Sequence, residues 1–248
     1  MLLYKRYCAK MMYLGKGYNG YQRQQTGKTI QGCIEDAMKV IYKENIEIVG
    51  CGRTDTGVNA KEYYFHFETS YQCPQDRIFS LNGILGDHIV IQSIQEAKRD
   101  FHARFDATLR AYEYRLHTKR NPFLKDSSFY LALGAKSLDI SSMIEGSELL
   151  MKYNDFFTFC KAHSDANSMT CKIYKSEWDI NGDKMIFHIE ANRFLRGMVR
   201  MIVGAILNIG LGKMEIAELI TALETKQRLS NSWSVPAHGL YLSKVEYV

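Results

Sequence analysis

Three prolines in 248 residues leave no stretch that reads as a stiff interdomain linker. The six cysteines, Cys8, Cys33, Cys51, Cys73, Cys160 and Cys171, include no Cys-x-x-Cys pair. The closest two, Cys160 and Cys171, have no histidine at zinc-finger distance, which argues against a structural metal and against a disulfide framework. Cys8, Cys33 and Cys51 lie in apolar segments and read as small core residues. The seven histidines are scattered without metal-ligand spacing. His66 and His188 fall in strand patterns and read as structural. The longest apolar helix candidate, residues 194–209, contains Arg196 and Arg200, so it is too short and too charged to cross a bilayer. Met1-Leu-Leu-Tyr-Lys-Arg runs directly into a strand-like segment with no cleavage-site pattern. These absences predict a soluble, cytoplasmic protein.

What remains is a chain with 46% hydrophobic residues, enough for a sizeable core in one large domain or two small ones. The net charge of +5 is compatible with a polyanionic partner without requiring one. Arg6–Tyr13 alternates like a strand. Thr29 can cap a helix that carries Ile30, Ile34, Ala37, Met38 and Ile41 on one face. Strands are expected near 46–51 and 61–69, then a short helix from Asp76 or Ser80, then a strand over His88–Gln95. The second half alternates similarly: a strand at Ala111–Thr118, helical spacing over Ile140–Tyr153, and a hairpin of Lys172–Ile180 and Lys184–Glu190 around Asn181-Gly182. Helices follow at 194–209, with Phe194, Met198, Met201, Ile202, Ala205 and Ile209 on one side, and at 214–226. A strand at Leu240–Val248 closes the chain. No repeat is visible by residue identity, but the order of elements suggests two related α/β halves, 1–105 and 106–248.

Two glycine motifs imitate nucleotide sites. Gly15-Lys-Gly17-Tyr-Asn-Gly20 fits G-x-G-x-x-G, but the polar Tyr21–Lys28 follows where a helix should begin. Thr26-Gly27-Lys28-Thr29 ends like a P-loop, but Gln22 stands where its first glycine is needed. The more informative motif is Gly52-Arg53-Thr54-Asp55-Thr56-Gly57-Val58-Asn59-Ala60, which holds an acidic residue on a tight turn between two strand-like runs, where catalytic groups tend to sit.

Arg53-Thr54-Asp55-Thr56-Gly57-Val58 resembles the catalytic segment of the TruA-type tRNA pseudouridine synthases. Six further segments match that family in order: Tyr18–Gln24, Phe101-His102-Ala103-Arg104-Phe105, Arg110–Tyr114, Asp155–Lys161, Phe194–Arg200 and Gly239–Leu242. The resemblance implies an α+β fold of two RRM-like halves joined through a central, mostly antiparallel sheet, with flanking helices and a central active-site cleft. It implies conversion of uridine to pseudouridine in the anticodon arm of tRNA without cofactor or metal, by a homodimer, with no role for DNA or membranes. It makes Asp55 the nucleophile, Arg200 its fixed cation, Tyr112 the ring that stacks on uracil and takes part in proton transfer at C5, and Leu240 the apolar wall of the uracil pocket. Arg53 is implied in base extraction, because a stacked or paired uridine must be turned out. Phe101, His102, Ala103, Arg104 and Phe105 are implied as an RNA-contacting segment. Arg23, Arg104, Lys161, Arg193 and Arg196 are candidates for phosphate contact. The chain departs from the family at Asn59, where histidine is usual, at Tyr21, where tryptophan is usual, and at Cys73, where a basic residue is frequent. These departures bear on RNA docking and site choice rather than on the reaction. Two rival readings remain: a non-catalytic RNA-binding module or RNA chaperone on the same scaffold, and a nucleotide-dependent enzyme using Gly15–Gly20.

Overall fold

The computed structural model describes residues 4–72, 74–133, 137–160 and 168–247. Cys73, Lys161 and Val248 lie outside the described residues. The chain divides into two compact units, residues 1–108 with 241–248 and residues 109–240. Each mixes helices with a mostly antiparallel sheet, an α+β arrangement.

In the first unit the strands are β1 (Lys5–Tyr13), β2 (Ile48–Gly50), β3 (Asn59–Thr69), β4 (Ile89–Glu96) and β9 (Leu240–Tyr247), in the order β4-β1-β3-β9. Antiparallel β1 lies along one edge of β3. The other edge is shared: β2 pairs antiparallel opposite Phe65–Phe67, and β9 runs parallel beside Asn59 and Ala60. Strand alternation sorts the faces. Tyr7, Ala9, Met11 and Tyr13 on β1, with Tyr63, Phe65 and Phe67 on β3, are buried. Arg6, Cys8 and Lys10 point the other way and are half-buried. Cys8 is therefore not a core residue, and Cys33, on the flank of its helix, is half-buried as well. Helix α1 (Ile30–Tyr42) begins as expected, with Thr29 Oγ1 accepting from the Gly32 N–H at 3.1 Å, and buries Ile30, Ile34, Ala37 and Met38. A 3-10 turn at Pro74–Arg77 leads into α2 (Ile78–Leu85), which packs on α1 and β4.

The second unit orders its strands β5 (Ala107–His117), β8 (Lys184–Ala191) and β7 (Ile173–Asn181), and β6 (Phe129–Tyr130) pairs parallel to the end of β5. In the β7–β8 hairpin Asn181 pairs with Lys184, so the two-residue loop is Gly182-Asp183, one place later than expected. Gly182 has φ 60° while Asp183 stays at negative φ, the type II′ pattern that demands glycine first. Helix α3 (Ile140–Leu149) is tied to β7 through Trp178 Nε1, which donates to Ser147 Oγ at 2.9 Å. It packs on α4 (Met198–Gly210), and α5 (Ile216–Glu224) packs on α3. Helix α4 starts four residues later than its apolar pattern suggests, because Gly197 at φ 73° interrupts the right-handed run. Every residue of α4 except Arg200 is buried, so it has no amphipathic stripe. No helix among the described residues is long and apolar enough to cross a membrane.

His66 is structural, as its strand pattern suggests. It is 5% exposed, and its Nδ1 accepts from the Ala103 N–H at 3.1 Å, which requires the neutral ring. Burial, helped by the neighbouring His102 and Arg6, lowers its pKa from the ordinary 6.5 to about 4. The folded state thus resists protonation that the unfolded chain accepts, so this stabilisation is complete above pH 6.5 and is lost as pH falls towards 4. Thermal melts at pH 7 and 4.5 should show a larger loss of Tm in the wild type than in His66→Asn, which keeps an acceptor but cannot titrate. Equal losses in the two proteins would contradict this assignment.

Candidate active site

Asp55 sits on a turn built by its own backbone. The Val58 N–H donates to the Asp55 carbonyl at 3.1 Å, and Gly57 takes φ 79° at the third position while Thr56 does not. This is a type II turn, in which glycine is needed at that place. The turn is pinned from below by three tyrosines whose rings touch, Tyr21 stacked on Tyr63 and Tyr13 edge-on to it. Tyr13 hydrogen-bonds Thr54 Oγ1 at 2.8 Å in the interior, and the Tyr63 hydroxyl donates to the Gly52 carbonyl. Tyr63 lies 5.5 Å from Tyr13 and 4.6 Å from Tyr21, centroid to centroid. Tyr21, where the resemblance expects tryptophan, is 3% exposed, and its N–H donates to the Thr54 carbonyl at 3.1 Å.

From the other side the turn is held by the Gly15–Gly20 segment. A Cβ at Gly20 would stand 2.8 Å from the Thr54 carbonyl oxygen and 3.3 Å from Thr56 N, and one at Gly15 would stand 2.2 Å from the Val58 oxygen. Two backbones approach here at a distance that only glycine permits. Asn59, where histidine is usual, accepts from the Gly15 N–H at 2.8 Å while 2% exposed. The segment that imitates a dinucleotide loop is therefore a brace for the Asp55 turn, and the next helix begins only at Ile30. Sequence reading missed this role, although glycines facing a turn of small residues were its one visible sign.

Asp55 is half-buried on this turn, and Arg53 is exposed, with no ion pair among the described residues. Arg23 is differently placed. Its guanidinium pairs with Glu35 and with Asp36, each at 2.6 Å, and also reaches the Gly32 carbonyl. In the 101–105 segment Ala103 is buried, Phe105 is 74% exposed, and the Arg104 guanidinium lies 5.6 Å from the Phe105 ring. His102 Nδ1 faces the N–H groups of Arg104 and Phe105, which rounds off the turn.

In the second unit Tyr112 is half-buried on β5 opposite Ile189, with its ring edge-on to Phe194 at 5.1 Å. Tyr114, two residues on and on the same face, is fully buried, and its hydroxyl donates to the Pro236 carbonyl at 2.9 Å. Burial raises the Tyr114 pKa, and the nearby Arg200 charge opposes that rise. Arg200 projects from the first turn of α4, where its Nε donates to the Val235 carbonyl at 2.7 Å and the Val235 N–H returns to the Arg200 carbonyl at 3.3 Å. Val235 belongs to an extended strap. Asn208 Nδ2 donates to the Asn231 carbonyl at 3.1 Å, and at Gly204 a Cβ would lie 1.8 Å from the Trp233 oxygen. Helix positions 200, 204 and 208 recur about every 6 Å. Strap residues 235, 233 and 231 recur about every 6.6 Å in extended chain. The matched spacings let one backbone track the other, and the strap then delivers Leu240, which is 5% exposed. The second unit thus brings Arg200, Tyr114 and the strap together. Arg193 is half-buried and Arg196 exposed in the turn before α4. The strap has no periodic pattern, and the sequence held no signal for it.

These features describe an α+β protein with an aspartate presented on a rigid turn, and no cluster of His, Cys, Asp or Glu suited to a metal ion among the described residues. The profile of the family described as tRNA pseudouridine synthase matches residues 153–248. Proteins named tRNA pseudouridine synthase A are similar end to end. The one from Azobacteroides pseudotrichonymphae is 38% identical over 98% of this chain and 96% of its own length. Those from Parabacteroides distasonis and Bacillus subtilis are 38% and 34% identical, over 98% and 95% of this chain and 96% of each relative. The chain belongs to the tRNA pseudouridine synthase family. A solved structure, the encapsulated DyP-type peroxidase of Mycobacterium smegmatis, aligns at 11% identity over 84% of this chain and 85% of its own, with a TM-score of 0.20, too slight to bear on the fold.

The strap predicts opposite signs for two Gly→Ala changes. Gly204→Ala forces a methyl into the Trp233 backbone and should destabilise by about 1–3 kcal/mol. Gly83→Ala on α2, where an added Cβ meets nothing, should stabilise by about 0.5–1 kcal/mol. Urea unfolding of both variants checks this; a neutral Gly204→Ala would contradict the close approach.

Proposed function

We propose that the protein converts uridine to pseudouridine in the anticodon arm of tRNA, acting in the cytoplasm as a homodimer and without a cofactor. The observation that carries this reading is the end-to-end similarity to relatives named tRNA pseudouridine synthase A. The braced Asp55 turn supports it.

The reaction breaks the bond from ribose C1′ to uracil N1 and makes one from C1′ to C5. The hydrogen on C5 is lost as a proton and N1 gains one, so no oxidant or reductant is needed. A carboxylate can attack the ribose or the base, or assist departure of the base, and the Asp55 carboxylate takes this part. Its value depends on fixed placement, which the type II turn and the glycine brace supply. Arg200 is assigned the part of the site's permanent cation, as the family resemblance implies. Its guanidinium is oriented by the Val235 carbonyl. The Tyr112 ring stacks on the uracil, and its hydroxyl handles the proton at C5. Leu240 bounds the base with apolar surface. Arg53, exposed two residues before Asp55, acts earlier, when the uridine is turned out of its stack. The rigid turn gives Arg53 a fixed base from which to reach.

Asp55→Asn, nearly isosteric, should abolish turnover on unmodified tRNA while leaving tRNA affinity within about threefold, because binding rests mostly on backbone contacts elsewhere. Activity within about tenfold of wild type would exclude Asp55 as the nucleophile. A wild-type protein that binds tRNA but never converts uridine would favour the RNA-binding module instead.

A further inference from the structure

The connection from β5 to β6 in the second unit has no part in the reaction, yet it presents an unusual surface. Phe123 is 92% exposed at its tip. The ring is not there through looseness. Asn121 Oδ1 accepts from the Phe123 N–H at 3.0 Å, Pro122 opens a 3-10 turn (Pro122–Leu124), and the Leu124 carbonyl accepts from Ser128 N–H at 3.0 Å. A phenyl ring is thus held out into water on a fixed turn.

Cations flank it in the chain. Lys119, Arg120 and Lys125 are exposed, and neither lysine has an ion pair among the described residues. The Arg120 guanidinium lies 5.7 Å from the Tyr130 ring. The hairpin loop reaches the same end of the sheet, where the Thr118 N–H donates to the Asp183 carbonyl at 2.9 Å and Lys184 pairs with His117. The two segments therefore carry four cations, Lys119, Arg120, Lys125 and Lys184, and two carboxylates, Asp126 and Asp183. Arg23, neutralised by its two carboxylates, is the contrasting case.

We propose that this loop is an RNA contact: Phe123 stacks on an unpaired base of the bound tRNA, and Lys119, Arg120 and Lys125 engage the phosphates on either side. An aromatic face amid an excess of cations matches the alternating base and phosphate of a nucleic acid strand. A protein partner is a poorer match, because interface cores are depleted in lysine. The proposal rests on tRNA being the substrate. Tyr112 lies five residues before His117 on β5, about 17 Å along the strand, so the contacted nucleotide is remote from the reacting uridine. The loop sets affinity and leaves the chemical step alone.

The test uses the intact protein and unmodified tRNA, with affinity measured across a salt series. Phe123→Ala should weaken binding about 5- to 100-fold, the loss of one base–aromatic stack, without changing the slope of log K against log salt. Phe123→Trp should restore it. Lys119→Ala with Lys125→Ala should reduce the slope by about 1–2. All variants should keep the wild-type thermal midpoint and the wild-type single-turnover rate at saturating tRNA. Unchanged affinity and slope would overturn the proposal. So would a Phe123→Ala protein whose oligomeric state changes while its tRNA affinity does not, since the patch would then belong to a second copy. A wild type that neither binds nor converts tRNA would overturn the functional reading as well, and the parent protein alone reveals that case.

Discussion

The candidate active site depends on one close approach, that of the Gly15–Gly20 backbone to the backbone of the Asp55 turn. Turns are ordinarily mobile, and a carboxylate nucleophile is useful only when its position is fixed before substrate arrives. Here the restraint comes from two directions. The tyrosines hold Thr54 and Gly52 from within the core. The glycines let a second backbone stand against Thr54, Thr56 and Val58 at distances no side chain would allow. The Asn59 side chain closes the arrangement by accepting from the Gly15 N–H, so that buried donor is satisfied.

The second unit solves the equivalent problem for Arg200 by other means. An arginine on an otherwise buried helix needs its polar end satisfied or the helix loses stability. The strap provides a carbonyl at the right turn of the helix, and its close passage over Gly204 fixes where that carbonyl falls. The next residue of the strap, Pro236, takes the Tyr114 hydroxyl, so the same few residues position the charge and anchor the strand that carries Tyr112.

Much of the fold was legible because it is local. Thr29 with Ile30, Ile34, Ala37 and Met38 announces both the start and the buried face of α1, and Asn181-Gly182-Asp183 announces a hairpin to within one residue. What escaped is nonlocal or backbone-borne. The first turn of α4 was placed too early because Phe194 and Leu195 extend its apolar pattern, while the φ of Gly197 that ends it leaves no trace in composition. Parallel pairing of β9 with β3 joins residues far apart in the chain. The strap and the glycine brace are contacts of main chain with main chain, so no residue type advertises them. Among the proposed site residues, Asp55 stood out by its glycine-flanked turn. Arg200 and Leu240 were visible only through family resemblance, since alone they read as a helix arginine and a strand leucine.

The most direct measurement is tritium release from C5 of labelled uridine in tRNA, under single-turnover conditions, comparing the wild type with Gly20→Ala. If the glycine brace sets Asp55 in place, the variant should bind tRNA with wild-type affinity and salt dependence yet release tritium about 100-fold more slowly, the cost of displacing a reacting group by roughly 1 Å. A folded Gly20→Ala protein that releases tritium at the wild-type rate would contradict the account.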